Sequence, residues 1–396
     1  MPVELKKIPE KLPLPESPSA LRWLIVIALI AVVGGILVLY LWPEGMSTHS
    51  ALFWFCFLVI PLAVGSACYA FRLHAYENER DRVNYWNHLY QEQYDVQVER
   101  GRRPVGVLGK AYITPIARNK LASALITHGS QLQSTYFSSL QQVLTTARLD
   151  PSTVFVSKES YSERLTHSLI QLLHILESDL SAFPTDKLSV RLRHDGSLDD
   201  VHIAQIWQSI FPASYPVDSF VVEQKDDGMM WLDNWLDQNE STLMLSVEIN
   251  LFMEPRDYQS ESISALLLAS PGWLAQHDVK PEIVIHRPVI ATEDICTLED
   301  MLRWGKLSVD EACALWRWQV DTEAVVRLIQ QSEQLGYSPG QNEDYMADDL
   351  FGHPGSALGN IALICACEHA MTSNKAQWVI MTDKTTHQAI VRPGNI

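Results

Sequence analysis

Positive charge is scarce in this chain. Its 396 residues include 30 Lys and Arg against 47 Asp and Glu, which gives a formal net charge of −17, and the acidic excess lies after residue 110. An acidic surface is repelled from the phosphates of DNA and RNA. We therefore exclude nucleic-acid binding as the main function.

The motifs of several common active sites are also missing. There is no P-loop, no G-x-G-x-x-G, no H-E-x-x-H and no G-x-S-x-G. None of the six cysteines has the C-x-x-C spacing of a zinc or redox site, and Cys365 and Cys367 lie in an apolar run typical of a buried helix. The sequence predicts neither a metal nor a cofactor.

Two long stretches near the N-terminus lack charge. Trp23–Trp42 and Ala51–Phe71 contain no Asp, Glu, Lys, Arg or His. At ~1.5 Å of rise per residue, about 20 residues cross a ~30 Å hydrocarbon core. Only Pro43–Ser50 separate the two stretches, so we expect a transmembrane helical hairpin. A signal peptide and a pair of buried helices in a soluble protein are the alternatives.

The basic residues that flank the hairpin predict its orientation. Lys and Arg precede the first stretch and follow the second, whereas the turn between them carries only Glu44. Because basic flanks stay on the cytoplasmic side, we expect both termini in the cytoplasm. The expected location is the inner (cytoplasmic) membrane of a bacterium, crossed twice.

Composition divides the chain into four segments. We expect a disordered cytoplasmic tail over residues 1–20, the membrane hairpin over 21–71, a juxtamembrane helix and linker over 72–104, and an acidic cytoplasmic domain over 105–396.

The large domain alternates apolar strands with amphipathic helices and shows no internal repeat. This pattern predicts an α/β fold with a parallel or mixed sheet. The predicted strands are Val105–Ile113, Thr153–Ser157, Leu188–Arg193, Ser219–Glu223, Thr242–Phe252, Ile263–Ala269, Glu282–His286 and Gln377–Met381. The predicted helices are Asn119–Gln133, Tyr161–Leu180, Asp199–Ile210, Met230–Asn239, Leu298–Leu302, Val309–Gln334 and Gly359–Met371.

One motif near the C-terminus resembles a known family. Phe351–Gly359 reads FGHPGSALG before an apolar helix. It is similar to the Gly-His-Thr-x-Gly-Ala-Ala-Gly signature of the β-ketoacyl synthases in the thiolase-like superfamily. Gly352 and His353 match the Gly-His pair, Ala357 and Gly359 match small residues, and Pro replaces the Thr. The resemblance implies a thiolase-like layered fold, in which small residues let the following helix pack closely.

The nucleophile of that family is absent. The strand Thr242–Phe252 and the later run Ser260–Leu268 are similar to the family's central and following strands, without its glycines. In that family the catalytic Cys lies at a strand-to-helix turn just upstream, which corresponds here to Lys225–Met229, and no Cys occurs between Cys68 and Cys296. Claisen condensation requires a thiolate that carries the acyl group. The resemblance therefore implies a degenerate, inert member, which dimerises through Thr242–Phe252.

Two histidines are the catalytic candidates. His353 lies in the family-like motif, and the simpler interpretation is a structural His in the turn before a helix. His286 follows a predicted strand, where α/β enzymes often place catalytic groups, and the simpler interpretation is a hydrogen-bonded structural His.

Two tryptophans are the candidates for partner binding. Trp231 and Trp235 are four residues apart on one predicted helix face. They belong either to the core or to an exposed aromatic platform for another protein.

These observations favour a membrane-anchored, non-catalytic scaffold or adaptor that docks proteins of a bacterial membrane-associated assembly such as a secretion machine. The alternative is a membrane-tethered protein or enzyme that binds acyl thioesters or lipid precursors in a surviving thiolase-like pocket. The link to a secretion machine is an analogy, because bacterial secretion machines use accessory proteins with the same arrangement of a membrane hairpin and a cytoplasmic domain.

Overall fold

A computed structural model describes Val3, Leu5 and residues 8–130, 132–138, 140–150, 157–223, 227–238, 241–339 and 343–394. The chain divides into two compact units: the first is Glu4–Val98, and the second is Glu99–Ile396 together with Met1–Val3. We describe each unit by itself. The four segments expected from composition stay a prediction.

The first unit is a helical hairpin. Helix α1 covers Ala20–Leu41; α2 (Ala51–Trp54), a π-helical turn (Phe55–Val59) and α3 (Ile60–Arg102) form one continuous helix. Gly34 lies against Pro61: a Cβ on Gly34 would be 2.6 Å from the Pro61 ring. Both helices are long and apolar enough to cross a membrane, and few residues of their most apolar windows are buried.

The N-terminal tail contacts the same hairpin. Residues 9–19 carry no helix or strand. The Asn87 side chain accepts a hydrogen bond from the Leu12 N–H (2.9 Å) and donates one to its carbonyl (2.9 Å). Disorder of residues 1–20 stays a prediction.

The second unit is built on one mixed sheet with helices on its faces. Its strands are β1 (Val105–Ile113), β4 (Leu188–His194), β5 (Val217–Glu223), β6 (Leu243–Asn250), β7 (Ser262–Ala269), β8 (Ile283–Ile285), β9 (Val289–Ile290), β10 (Cys313–Trp318), β11 (Asp344–Met346), β12 (Ala376–Thr382) and β13 (Thr386–Pro393). A separate hairpin pairs β2 (Gln133–Phe137) with β3 (Gln142–Thr146). The helices are α4 (Leu121–His128), α5 (Lys158–Ser181), α6 (Asp200–Ile210), α7 (Trp231–Asp237), α8 (Pro271–His277), α9 (Ile295–Trp304), α10 (Thr322–Gln334), α11 (Ala347–Phe351) and α12 (Leu358–Ser373).

The strand order shows an internal duplication. One half of the sheet runs β5-β4-β6-β7-β1 and the other runs β11-β10-β12-β13-β8. In each half the strands appear in the order third, second, fourth, fifth, first, with the same parallel and antiparallel pairings. Antiparallel pairing of β1 with β8 joins the halves. The duplication is one of strand order and pairing, which the residue pattern of the sequence does not reveal.

The same duplication explains the position of two helices. Helix α7 precedes the fourth strand of the first half, and α12 precedes the fourth strand of the second half. Both contribute to one core cluster, and α12 is buried from Leu358 to Cys367. Two further clusters lie beneath α5 and α6 and beneath α9 and α10.

Several sequence predictions need correction. Val309–Gln334 is not one helix: it contains β10 and α10, separated by a turn in which Gln319 has a positive φ of 53°. Helix α4 is shorter than Asn119–Gln133 and ends before Gly129. The predicted strand Thr153–Ser157 lies almost entirely outside the described residues.

The strand expected at a dimer interface is also misplaced. β6, the observed form of Thr242–Phe252, pairs with β4 on one side and β7 on the other. An interior strand has no free edge for a second chain. The sheet of the described residues ends instead at β5 and β11.

Candidate functional site

The imidazole of His353 is exposed beside an otherwise buried segment. Gly352 precedes it with a φ of 85°, a conformation that favours glycine. The His353 N–H donates to the Tyr258 carbonyl (2.8 Å), and its carbonyl accepts from the Ser260 N–H (3.1 Å). The backbone of His353 is therefore held by its neighbours, while its side chain is open to solvent.

His286 lies in a different environment. It is 4% exposed, and its N–H donates to the Ile390 carbonyl at 2.9 Å. Burial, assisted by the positive charges of Arg392 and Lys306, lowers the pKa of His286 to about 4. His286 is neutral at physiological pH.

The turn at the family's nucleophile position carries an acid and a glycine. Residues 224–226 are not described, and Asp227 and Gly228 follow them before α7. The Asp227 Oδ1 accepts a hydrogen bond from Arg191 at 3.3 Å. The Gly228 N–H donates to the Asp383 carboxylate at 3.2 Å, and Gly228 has a φ of 52°. This turn is held in place by the ion pair of Asp227 and the hydrogen bond of Gly228, and its sequence contains no cysteine.

These groups belong to a larger set that we call the buried charge cluster: Arg191, Arg193, Glu223, Asp227, Glu248 and Asp383. Its centre is Arg191, whose guanidinium contacts the carboxylates of Glu223 (3.0 Å), Glu248 (3.2 Å) and Asp227 (3.3 Å). The same guanidinium lies 4.6 Å from the centre of the Trp231 ring. The side chain of Arg191 is 5% exposed and that of Glu248 is 0% exposed.

Glu248 connects the cluster to the start of α12. Its second carboxylate oxygen accepts a hydrogen bond from the Asn360 N–H at 2.8 Å, where the positive end of the helix dipole favours an anion. Gly359 permits this close packing, because a Cβ there would lie 2.8 Å from the Gly228 carbonyl oxygen and 3.1 Å from Glu248. The small residue of the family-like motif thus packs as the resemblance implied.

The cluster also connects the two halves of the sheet. Arg193 on β4 donates to Asp383 in the β12–β13 turn at 2.8 Å. His387 on β13 lies next to Gly228, and burial lowers its pKa to about 4. Desolvation raises the pKa of Asp227 above its ordinary value.

The chemistry available at this site is limited. The cluster's carboxylates are held by guanidinium groups or backbone N–H groups, and the nucleophile position has no thiol. No group of three or more His, Cys, Asp and Glu among the described residues is arranged to hold a metal ion. The ion pairs and hydrogen bonds of the cluster connect β4, β6, the turn before α7 and the start of α12 inside the domain.

Both partner-binding candidates are inside the protein. Trp231 and Trp235 are each 6% exposed and belong to the core cluster with α12. The platform interpretation is therefore wrong for these residues, and core packing is the correct one. Apolar neighbours pack against both rings, and the guanidinium of Arg191 lies over the ring of Trp231, so these ring surfaces are not available to a partner protein.

The sequence analysis missed the cluster although the strands carry a signal for it. Arg191 and Arg193 alternate with Val190 and Leu192, so both guanidinium groups lie on one face of β4. Ser246, Glu248 and Asn250 alternate in the same way on β6. Because helices cover both faces of this sheet, such polar positions mark a buried polar layer.

Comparison with solved structures identifies the fold. The chain is similar to a chain of AntDE:AntF, a type II PKS acyl-carrier protein in complex with its ketosynthase bound to the hexaketide, with a TM-score of 0.50, 11% identity, and coverage of 74% of this chain and 99% of that one. It is also similar to the ketosynthase from module 6 of the bacillaene synthase of Bacillus subtilis 168, with a TM-score of 0.52, 10% identity, and coverage of 73% and 70%. No family model and no curated protein matches the sequence.

The class of protein follows from these likenesses and from the duplicated sheet. The second unit has a mixed α/β fold of the thiolase-like type with one large sheet. The fold that the family-like motif implied is therefore confirmed. At 10–11% identity the likeness shows the fold alone.

Proposed function

We propose that this protein is a membrane-anchored, non-catalytic member of the thiolase-like fold class that serves as a scaffold or adaptor. Its hairpin crosses a bacterial inner membrane twice, with both termini and the large domain in the cytoplasm. The domain docks other proteins of a membrane-associated assembly such as a secretion machine.

The observation that carries the proposal is the turn between β5 and α7. Thioester chemistry requires a nucleophile at this place, and a tethered Asp227-Gly228 turn lies there instead. The carboxylates of the buried charge cluster beside this turn are paired with guanidinium or backbone N–H groups. Such a site binds the protein's own elements together and offers no group that accepts an acyl chain.

Membrane anchoring is supported by the first unit. Its two helices expose large apolar side chains along their length, which is unfavourable in water. The absence of Lys and Arg from the Pro43–Ser50 turn supports cytoplasmic termini.

A homodimer remains part of the proposal, with its strand reassigned. Among the described residues β5 pairs with β4 alone, so its outer edge carries unpaired backbone groups there, and Val217 and Val221 are exposed. Exposed edge strands pair readily with a second chain. We therefore place the contact between copies at β5.

The second candidate function is acyl-thioester or lipid-precursor binding. The fold supports it, since the similar AntDE:AntF structure contains a ketosynthase with an acyl-carrier protein. His353 also lies near Asp348, so an exposed imidazole and a carboxylate share one corner of the fold.

Two measurements on the full-length protein in its native membrane separate these functions. Crosslinked complexes are isolated and identified by mass spectrometry, with His353→Ala in parallel. A scaffold gives the same set of membrane proteins with both variants. Recovery of acyl-carrier protein or lipid-synthesis enzymes that disappears in His353→Ala would overturn the scaffold assignment.

The second measurement tests acylation directly. The full-length protein in nanodiscs is incubated with hexanoyl-CoA, and its intact mass and the release of free CoA are followed. We expect neither an acyl adduct nor CoA release above the rate of an empty nanodisc. A stoichiometric acyl adduct would refute the non-catalytic proposal.

A further inference from the structure

A groove crosses the second unit beside the C-terminal half of α12. Two cavities of about 650 Å³ and about 420 Å³ adjoin there. They share the lining residues Lys110, Lys120, Glu368 and Met371, so they form one continuous depression between β1, α4 and α12. Each volume is of the size that small-molecule sites occupy. The groove lies at the opposite end of α12 from the buried charge cluster, which contacts Gly359 and Asn360.

The larger cavity is rich in positive charge. Lys110, Arg118, Lys120 and Lys280 line it. Within the described part of the chain, none of these four side chains has a carboxylate within ion-pair distance. Most Arg side chains of this unit are paired instead, for example Arg191 with Glu248 and Arg317 with Asp344. A protein with a net charge of −17 thus gathers unpaired cations at one place.

Three carboxylates also line the groove, and the central one, Glu368, is hydrogen-bonded to the protein itself. Both oxygens of Glu368 accept hydrogen bonds, one from the Tyr112 hydroxyl (2.7 Å) and one from the Ala122 N–H (3.1 Å). The other two are Asp179 and Glu282. Four cations against three acids leave an excess of positive charge. The Lys110 Nζ donates to the Met371 Sδ at 3.5 Å, and a thioether is a weak acceptor that a phosphate oxygen would replace.

The smaller cavity is mainly apolar. Its lining includes Ala122, Ile126 and Met371, with Lys110 and Lys120 at the border to the larger cavity. Ile126 is 40% exposed and Met371 is 47% exposed. Covering these side chains with an alkyl chain removes apolar surface from water, which is favourable.

We propose that this groove binds an amphiphile with a phosphate-ester head and a short apolar chain. The head lies among the four cations, and the chain lies against Ile126 and Met371. Lys and Arg are the usual partners of phosphate oxygens in proteins, and charge-assisted hydrogen bonds are the strong ones. The inference does not depend on the scaffold proposal, because it uses no residue of the charge cluster.

The test measures binding of hexyl phosphate to the full chain in phosphatidylcholine nanodiscs by calorimetry. We expect hexyl phosphate to bind at least about tenfold more tightly than inorganic phosphate, since several methylene groups are buried. Hexanol, which lacks the charge, is expected not to bind. Equal affinities of hexyl phosphate and inorganic phosphate would overturn the proposed apolar part of the site.

Matched variants locate the binding. The double variant Lys110→Gln with Lys280→Gln is expected to weaken hexyl phosphate binding about tenfold or more. Lys158→Gln removes one exposed cation outside the groove and is expected to leave the affinity unchanged. Equal affinity of the wild type and the double variant would refute the site.

A competition experiment distinguishes the two sources of such a ligand. Nanodiscs with phosphatidic acid are compared with pure phosphatidylcholine nanodiscs. Loss of hexyl phosphate binding in the nanodiscs with phosphatidic acid supports a lipid as the natural ligand. Unchanged binding supports a soluble phosphate ester.

Discussion

Arg191 offers the sharpest test of the buried charge cluster. It is 5% exposed and contacts three carboxylates, of which Glu248 is completely buried. Replacing Arg191 by Met keeps an apolar stem of similar length and removes the cation. Glu248 then retains its hydrogen bond from the Asn360 N–H and the electrostatic interaction with Arg193, and it loses its direct ion pair.

The expected loss follows from that burial. Removing one partner of a buried ion pair costs about 3–5 kcal/mol, because the other charge stays desolvated and unpaired. Loss of the contact with the Trp231 ring adds about 0.5–2 kcal/mol, offset in part by the packing of Met. We therefore expect Arg191→Met to lower the free energy of unfolding of the second unit by about 3–5 kcal/mol.

The double variant Arg191→Met with Glu248→Gln isolates the cause. Glutamine still accepts the hydrogen bond from Asn360 and carries no charge. We expect the double variant to recover at least about 2 kcal/mol of the loss in the single variant, because the one completely buried carboxylate of the cluster is then replaced by a neutral amide.

Hydrogen exchange of the full-length protein is the appropriate assay. Peptides from β4 and β6 report the opening of the core strands, independently of the N-terminal helical hairpin. Arg327→Met is the control, since it removes an exposed ion pair with Glu323 on α10 and should cost under about 0.5 kcal/mol. A loss below about 1 kcal/mol for Arg191→Met, or a double variant no more stable than the single one, would refute this account of the cluster.

Four further predictions concern single positions. Gly359→Ala should destabilise the second unit by about 1–3 kcal/mol in the same exchange assay, because its Cβ would meet the Gly228 carbonyl; a neutral result contradicts the packing. Burial depresses the pKa of His286 to about 4, so its stabilisation is complete above about pH 6.5 and is lost as the pH falls towards 4; His286→Asn should remove up to about 3 kcal/mol of that pH dependence, and an unchanged profile argues against it. The pKa of Asp227 is raised by burial, so its stabilising effect is lost as the pH rises through that raised pKa. Asp227→Asn should therefore gain stability relative to wild type as the pH rises above about 4, whereas a difference that does not change with pH contradicts the shift. Val221→Lys should convert a dimer in nanodiscs to a monomer by light scattering if copies meet at β5, and an unaffected dimer excludes that strand.

The sequence alone determined the features that depend on local pattern. The uncharged stretches predicted the helices α1 and α2–α3, and β-branched or apolar runs predicted β1, β4 and β12 almost to the residue. The motif around Gly352 and His353 identified the fold, since a positive φ and close helix packing demand small residues at fixed places.

Tertiary structure decided which residues meet. The polar side chains of β4 and β6 become a buried cluster only because α7 and α12 cover that face of the sheet. Trp231 and Trp235 are core residues for the same reason. The β10 segment had a helical-looking composition, and pairing with β11 and β12 imposed a strand on it. The duplicated strand order arises from contacts between distant segments, which local periodicity does not record.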